Sequence, residues 1–124
     1  MERVFGAIAA LSGAAAVIAD ATAQHLAADP ARAALAATGS HYALVHAAAL
    51  LALVALLRFG AAGGWLLAAC WCFTLALPLF CGTLFLRAAG AGPWLTPLVP
   101  IGGTLFIVGW AALVLYWVMP RPPA

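Results

Sequence analysis

Asp20 and His46 are the two residues of this sequence whose types and positions could support proton chemistry. Each lies within a long apolar stretch, where a charge is costly and ionisable groups commonly mark functional sites. Counted from predicted helix ends at Leu26 and Ser40, both side chains lie about 9 Å into their helices. The shared depth predicts an Asp20–His46 contact. That contact either fastens two helices together or holds a titrating proton.

Further polar residues fall in the same half of the predicted bundle, opposite the two termini. This predicted polar cluster comprises Asp20, Gln24, His25, His41, Tyr42, His46, Thr83 and Arg87. Tyr42 and His46 are one helical turn apart, so both could hydrogen-bond to Asp20. Interhelical polar pairs contribute about 0.6 kcal/mol on average in membranes. Helix fastening and a proton or cation site therefore stand as competing hypotheses.

The histidines and cysteines do not predict a metal or haem site. His41 and His46 point about 140° apart on an ideal helix, and His25 lies at a different depth. Cys70 and Cys72 are about 200° apart, which disfavours a shared metal ion or a disulfide. We expect no metal, no cofactor and no catalytic residue, and no basic patch suggests nucleic-acid binding.

The elements that must position these residues are predicted to be membrane helices. Of 124 residues, 68% are hydrophobic and 6% charged, which is too little polar material to coat a soluble domain. Four apolar segments each exceed the roughly 20 residues that cross a bilayer as a helix, and they lack the alternation of barrel strands. The predicted fold is an all-α membrane protein, one domain spanning residues 1–124, with a four-helix transmembrane bundle.

The predicted transmembrane helices cover residues 4–27, 40–58, 65–87 and 97–119. Asp29 as N-cap and Pro30 at the first helical position predict a short interfacial helix over residues 30–38 that ends at Gly39. The alternative is a single tilted helix over residues 30–57 with Gly39 inside it.

The first helix also has features of a cleaved signal peptide. Arg3 precedes an apolar run, and Ala21-Thr22-Ala23 has the small-x-small form that signal peptidase reads. We expect a retained helix, because small residues follow three- and four-residue spacing along one stripe, which favours close packing in membranes. The stripe comprises Gly6, Ala9, Gly13, Ala16 and Asp20. Asp20 is therefore expected to face into the bundle.

Other sequence features predict packing and orientation. Pro78 should kink the third helix and free the Thr74 carbonyl. Close helix packing is expected at Gly6, Gly13, Gly82, Gly102, Gly103 and Gly109. Interfacial aromatic residues are expected at Trp65, Trp94, Tyr116 and Trp117. Three arginines on the side of the termini (Arg3, Arg58 and Arg121) against two on the other (Arg32 and Arg87) favour cytoplasmic termini.

Several stretches resemble a known family. They are QHL at residues 24–26, TGSHYALVHAAALL at residues 38–51, LFCGTLFL at residues 79–86 and PIGGTLFIVGW at residues 100–110. In order and spacing they resemble the bacterial "domain of unknown function 423" membrane family. The resemblance implies a small four-helix protein of the bacterial inner membrane, related to a eukaryotic transmembrane group, with no settled activity and no catalytic residues to carry over.

The sequence also departs from this family's pattern. Asp20 and Ala23 stand where the family has glycines, and Ala43 stands where a glutamine commonly follows the tyrosine. The departure suggests that Asp20 is particular to this protein.

Taken together, these features favour a non-enzymatic accessory or assembly subunit that binds a larger membrane complex through its Gly/Ala-rich faces. The alternative is a transporter or channel subunit that uses Asp20 and His46 for protons or a small cation. Because four helices rarely enclose a pathway alone, the alternative predicts a homo-oligomer. The expected partners are the lipid bilayer and either another membrane protein or further copies of the chain.

Overall fold

The computed structural model describes residues 1–25, 28–61 and 63–120, and this part of the chain forms helices and no strand. In chain order the elements are α1 (Glu2–His25), α2 (Pro30–Arg58), α3 (Gly64–Ala76), a π-helical segment (Leu77–Gly82), α4 (Thr83–Ala88), a 3₁₀ turn (Pro93–Leu95) and α5 (Leu98–Val118). Four stretches are long and apolar enough to cross a membrane: Glu2–His25, Pro30–Arg58, Gly64–Ala88 and Pro93–Val118. The predicted all-α four-helix fold is confirmed. Leu26, the predicted first-helix end at residue 27, and Arg121 lie outside the described residues.

α2 runs unbroken through Gly39. The predicted break at Gly39 and the separate interfacial helix over residues 30–38 are therefore wrong, and the single-helix alternative is correct. Gly39 serves packing instead, because a Cβ atom there would lie 2.6 Å from the ring of Phe85. The predicted start of this helix does occur, with Pro30 in the first turn and the Asp29 carboxylate accepting a hydrogen bond from the Arg32 amide at 3.2 Å.

Pro78 lies in the π-helical segment, which joins α3 to α4. Proline lacks an amide hydrogen and its ring clashes with the carbonyl four residues earlier, so a regular α-helix is disturbed there. The disturbance takes the form of one wider turn, as π-bulges do. One turn earlier, the buried hydroxyl of Thr74 has no hydrogen-bond partner within the described residues.

α2 and the third crossing, residues 64–88, form the centre of the bundle. α1 packs along α2, and α5 packs along α3 and the π-helical segment. Two contacts also join helix ends. Arg58 at the end of α2 lies 3.7 Å from Glu2 at the start of α1, and Tyr116 of α5 lies close to Gly63, just before α3. The largest fully buried apolar side chains are Phe5, Phe73, Leu50, Leu66 and Leu77.

The predicted packing glycines differ in how closely other helices approach them. A Cβ atom at Gly102 would lie 2.6 Å from the Phe80 backbone nitrogen, and one at Gly109 would lie 2.5 Å from the Phe73 ring. The predicted positions without such a close approach are Gly6, Gly13, Gly82 and Gly103. Among the predicted packing glycines, close approach therefore occurs at the two in α5, Gly102 and Gly109. Of the predicted interfacial aromatics, Trp65, Trp94 and Trp117 are exposed, and Tyr116 is buried.

Ser40→Ala is expected to lower the free energy of unfolding by about 0.6 kcal/mol, the average for interhelical polar contacts in membranes. The reason is that the Ser40 hydroxyl donates a 2.8 Å hydrogen bond to the Ala16 carbonyl across the α1–α2 interface. Unfolding in mixed micelles measures the change. Thr104→Val is the control, because the Thr104 hydroxyl donates to Pro100 within its own helix. Equal losses in both variants would contradict a specific role for the interhelical bond.

Candidate functional site

His46 lies at the centre of a group of aromatic rings between α2, α3 and α5, and it is 4% exposed. Its Nε2 accepts a 3.1 Å hydrogen bond from the Trp110 indole, and its Nδ1 lies 2.8 Å from the Tyr42 carbonyl oxygen. Because an indole only donates, Nε2 must be the acceptor and Nδ1 must carry the hydrogen. The hydrogen-bond pattern therefore assigns His46 as the neutral Nδ1–H tautomer.

The rings around His46 form a continuous cluster. The Phe106 ring stacks on the imidazole with centroids 3.7 Å apart, and the Phe73 ring meets it edge-on at 5.3 Å. We name the aromatic cluster after its six members, Tyr42, His46, Phe73, Phe80, Phe106 and Trp110. With both nitrogens bonded and its faces packed, His46 joins three helices.

The predicted Asp20–His46 contact is wrong. Asp20 is exposed on α1, whereas both ring nitrogens of His46 bond within the aromatic cluster. Ser40 is the residue of α2 that bonds to α1. His46 follows it by six residues and points about 120° away around the helix, towards α5. The contact between Ala16 and Ser40 places Asp20 level with residues 36–40, so His46 also lies at least six residues, about 9 Å, further along α2, and the predicted shared depth is wrong as well.

The expectation that Asp20 faces inward is also wrong. Ala9 and Ala16 of the small-residue stripe are buried against α2, but Asp20 lies at the open edge of that interface. Gly6 and Gly13 lie on the same edge and are half-buried. The stripe is therefore only partly covered within one chain.

The remaining members of the predicted polar cluster are dispersed. Gln24, His25 and His41 are exposed, Arg87 is half-buried and Thr83 is buried. The ring of Tyr42 contacts both His41 and His46, with centroids 5.8 and 6.0 Å apart. In residues 1–25, 28–61 and 63–120, no three His, Cys, Asp or Glu side chains are placed to share a metal ion.

One open face combines residues of α1 and α2, and we name it the outer face after Gly6, Gly13, Asp20, Gln24 and His41. The contacts of Ala16 with Ser40 and of Gly13 with Ala47 set the antiparallel register. By that register Asp20 is level with residues 36–40, within one helical turn of His41. Two ionisable side chains therefore share a depth on an exposed surface.

Arg32 is a structural link that the sequence did not indicate. Its Nε donates a 2.6 Å hydrogen bond to the carbonyl of Ala88, the last residue of α4. The last carbonyls of a helix have no partner within that helix. Arg32 of α2 therefore supplies a hydrogen-bond donor to the C-terminal end of α4. The two residues are 56 positions apart, and no local pattern could have paired them.

An apolar groove lies between α1 and α4, with α2 beneath it. It consists of two cavities of about 320 and 350 Å³ that share Ala15 and Phe85 among their lining residues. Arg32 lines one end, and Leu77 and Pro78 line the other. Ala15 and Asp20 are about 140° apart around α1, so the groove and the outer face are separate surfaces.

Comparison with known families gives one match. The family model described as "Protein of unknown function (DUF423)" matches residues 5–103. The match takes in most of α1, all of α2, α3 and α4, and the start of α5. It includes His46 and ends before Trp110. No solved structure matches the chain.

Proposed function

The chain belongs to the DUF423 family of proteins of unknown function, and we propose that it is a non-enzymatic accessory or assembly subunit of a larger membrane complex. The observation that carries this proposal is the exposure of Asp20 on a helix long and apolar enough to span the bilayer. The described part of the bundle leaves this carboxylate exposed. A second protein at the outer face would do so.

The depth of Asp20 makes its exposure costly. α1 has 24 residues and is therefore about 36 Å long, which places Asp20 about 10 Å from its middle. If α1 is centred in the bilayer, this lies within the roughly 15 Å half-thickness of the hydrocarbon core. Ionisable residues at such depth almost always face protein or water and pair with another polar group. A partner helix that donates a hydrogen bond to Asp20 would remove the cost.

The rest of the outer face suits contact with another helix. Gly6 and Gly13 carry no side chain that would hold a neighbour at a distance. Within the described residues no atom of another helix lies within 4 Å of a Cβ built at Gly6, so this part of α1 is open. His41 supplies a second polar group near the depth of Asp20. The small residues allow a partner helix to come close to this face. The two polar groups at one level fix the register of that helix along it.

The location we propose is the cytoplasmic membrane of a bacterium, with both termini in the cytoplasm. Arg58 lies 3.7 Å from Glu2 and Arg3 is the next residue, and Arg121 follows α5 in the sequence, which gives this end three arginines against Arg32 and Arg87 at the other. An excess of arginine marks cytoplasmic segments.

The test is site-specific photo-crosslinking in native membranes, with the crosslinker at Val17 or at Ile107. Both residues are exposed, at 61 and 71%, but Val17 lies on α1 beside Asp20 and Ile107 lies on α5. We expect one stoichiometric product from position 17 and none from position 107. Asp20→Asn should reduce that product, whereas Glu2→Gln, which removes a carboxylate at the opposite end of α1, should not. Equal products from both positions would overturn the proposal.

The same experiment separates the transporter or channel alternative. A product that contains two copies of this chain, together with proton or cation flux in liposomes that Asp20→Asn abolishes, would replace the accessory-subunit proposal. Such a site would have to use Asp20 and His46 separately, since the two side chains do not meet.

A further inference from the structure

We propose that the groove between α1 and α4 binds one phospholipid with an anionic headgroup. The headgroup phosphate lies at Arg32, and one acyl chain lies along the groove towards Pro78. This proposal concerns a surface other than the outer face and does not depend on the function proposed above.

The length of the groove fits one leaflet of a bilayer. Along the third crossing it extends from Ala89 to Leu77, which is about 18 Å at 1.5 Å per residue. Half of a hydrocarbon core is about 15 Å. The groove therefore begins near the membrane interface at Arg32 and ends near the midplane at the π-helical segment.

The walls of the groove are suited to an acyl chain. On α1 they include Ile8, Leu11 and Ile18, and the third crossing supplies Leu77 and Phe85. The hydroxyl of Thr22, at the Arg32 end, donates to the Ile18 carbonyl within α1. The interior of the groove is thus apolar apart from the Ser12 hydroxyl and the Cys81 thiol. Each cavity also falls within the 300–1,000 Å³ typical of small-molecule sites.

Charge complementarity selects the headgroup. Arg32 is half-buried at the mouth of the groove, and its Nε is fixed by the Ala88 carbonyl. Within the described residues its guanidinium forms no ion pair, and the neighbouring Asp29 carboxylate accepts from the Arg32 backbone amide. A guanidinium held in one orientation with free N–H groups is a suitable donor for phosphate oxygens.

The experiment uses the full chain in detergent with equimolar phosphatidylglycerol and phosphatidylcholine, and native mass spectrometry counts the bound lipids. We expect one retained phosphatidylglycerol, preferred over phosphatidylcholine. One arginine near a membrane surface contributes about 1 kcal/mol, so Arg32→Gln should reduce the preference about five-fold. The glutamine amide can still donate to Ala88, and Arg58→Gln, at the other end of the bundle, is the charge control.

A second variant tests the groove itself. Ala15→Leu fills the region shared by the two cavities and should abolish retention of both lipids at unchanged thermal stability. Ala14→Leu adds the same side chain at the same depth on an exposed face of α1 and should retain the lipid. Equal retention of the two lipids by the unmodified chain, or retention by Ala15→Leu, would overturn the proposal. Neither result would affect the crosslink expected at position 17.

Discussion

His46→Ala is expected to lower the free energy of unfolding by about 2–5 kcal/mol, the range for truncating a large buried side chain to alanine. The substitution leaves a cavity between α2, α3 and α5 and removes the ring that stacks on Phe106 at 3.7 Å. It also leaves the indole of Trp110 without its acceptor in the bundle. Loss of this hydrogen bond adds to the cavity term. Denaturant unfolding in mixed micelles measures the change.

Two further variants separate packing from hydrogen bonding in this cluster. His41→Ala removes an exposed imidazole that contacts the same Tyr42 ring, and we expect a change within about 0.5 kcal/mol. Trp110→Phe keeps an aromatic ring and removes the donor, so its effect should lie between those of the two alanine variants. If His46→Ala and His41→Ala were equally stable, the aromatic cluster would not be the link between the helices.

Gly102→Ala is expected to destabilise the bundle by up to about 2 kcal/mol, although alanine favours helix by about 1 kcal/mol over glycine. The new Cβ atom would lie 2.6 Å from the backbone nitrogen of Phe80. Backbone cannot rotate away as a side chain can, so α5 must move from the π-helical segment. Overpacking of this kind costs about 1–3 kcal/mol. The same unfolding measurement reports the change.

Gly103→Ala is the matched control for Gly102→Ala. It lies on the same helix with the same gain in helix propensity, and its Cβ atom would have its nearest neighbour at 3.6 Å, in the Phe80 ring. Its stability should therefore equal or exceed that of the unmodified chain. A loss at Gly103 as large as at Gly102 would show that the close approach to Phe80 is not the cause.

Sequence reasoning reached the fold because the membrane limits the choices. Apolar length alone fixed four crossings, and the cap formed by Asp29 and Pro30 marked the start of α2 correctly. The predicted helix break at Gly39 was wrong because a glycine can either end a helix or allow close packing of a neighbouring side chain. The ring that decides between them, Phe85, belongs to another crossing. Local propensity carries no information about that ring.

The candidate site was less predictable for a related reason. Depth can be counted only from a known helix end, and the count for His46 started at Ser40 although α2 begins at Pro30, so Asp20 and His46 do not share a depth. The direction in which a helix presents a residue depends on which neighbour it packs against. His46 turns to α5 because Trp110 and Phe106 occupy that side. Spacings of four residues, from Tyr42 to His46 and from Phe106 to Trp110, were the available signals for the aromatic cluster.

The π-helical segment makes the third crossing sensitive to the number of residues that it contains. A π turn holds about one residue more than an α turn, so residues after it are rotated by about 100° relative to an uninterrupted helix. That offset lets α3 present Phe73 to α5 while α4 presents Phe85 to Gly39 and Ala88 to Arg32. Loss of a single residue between Leu77 and Gly82 would return the crossing to one phase. The contacts of α3 with α5 and the contacts of α4 with α2 could then no longer form together, although every residue that makes them would still be present.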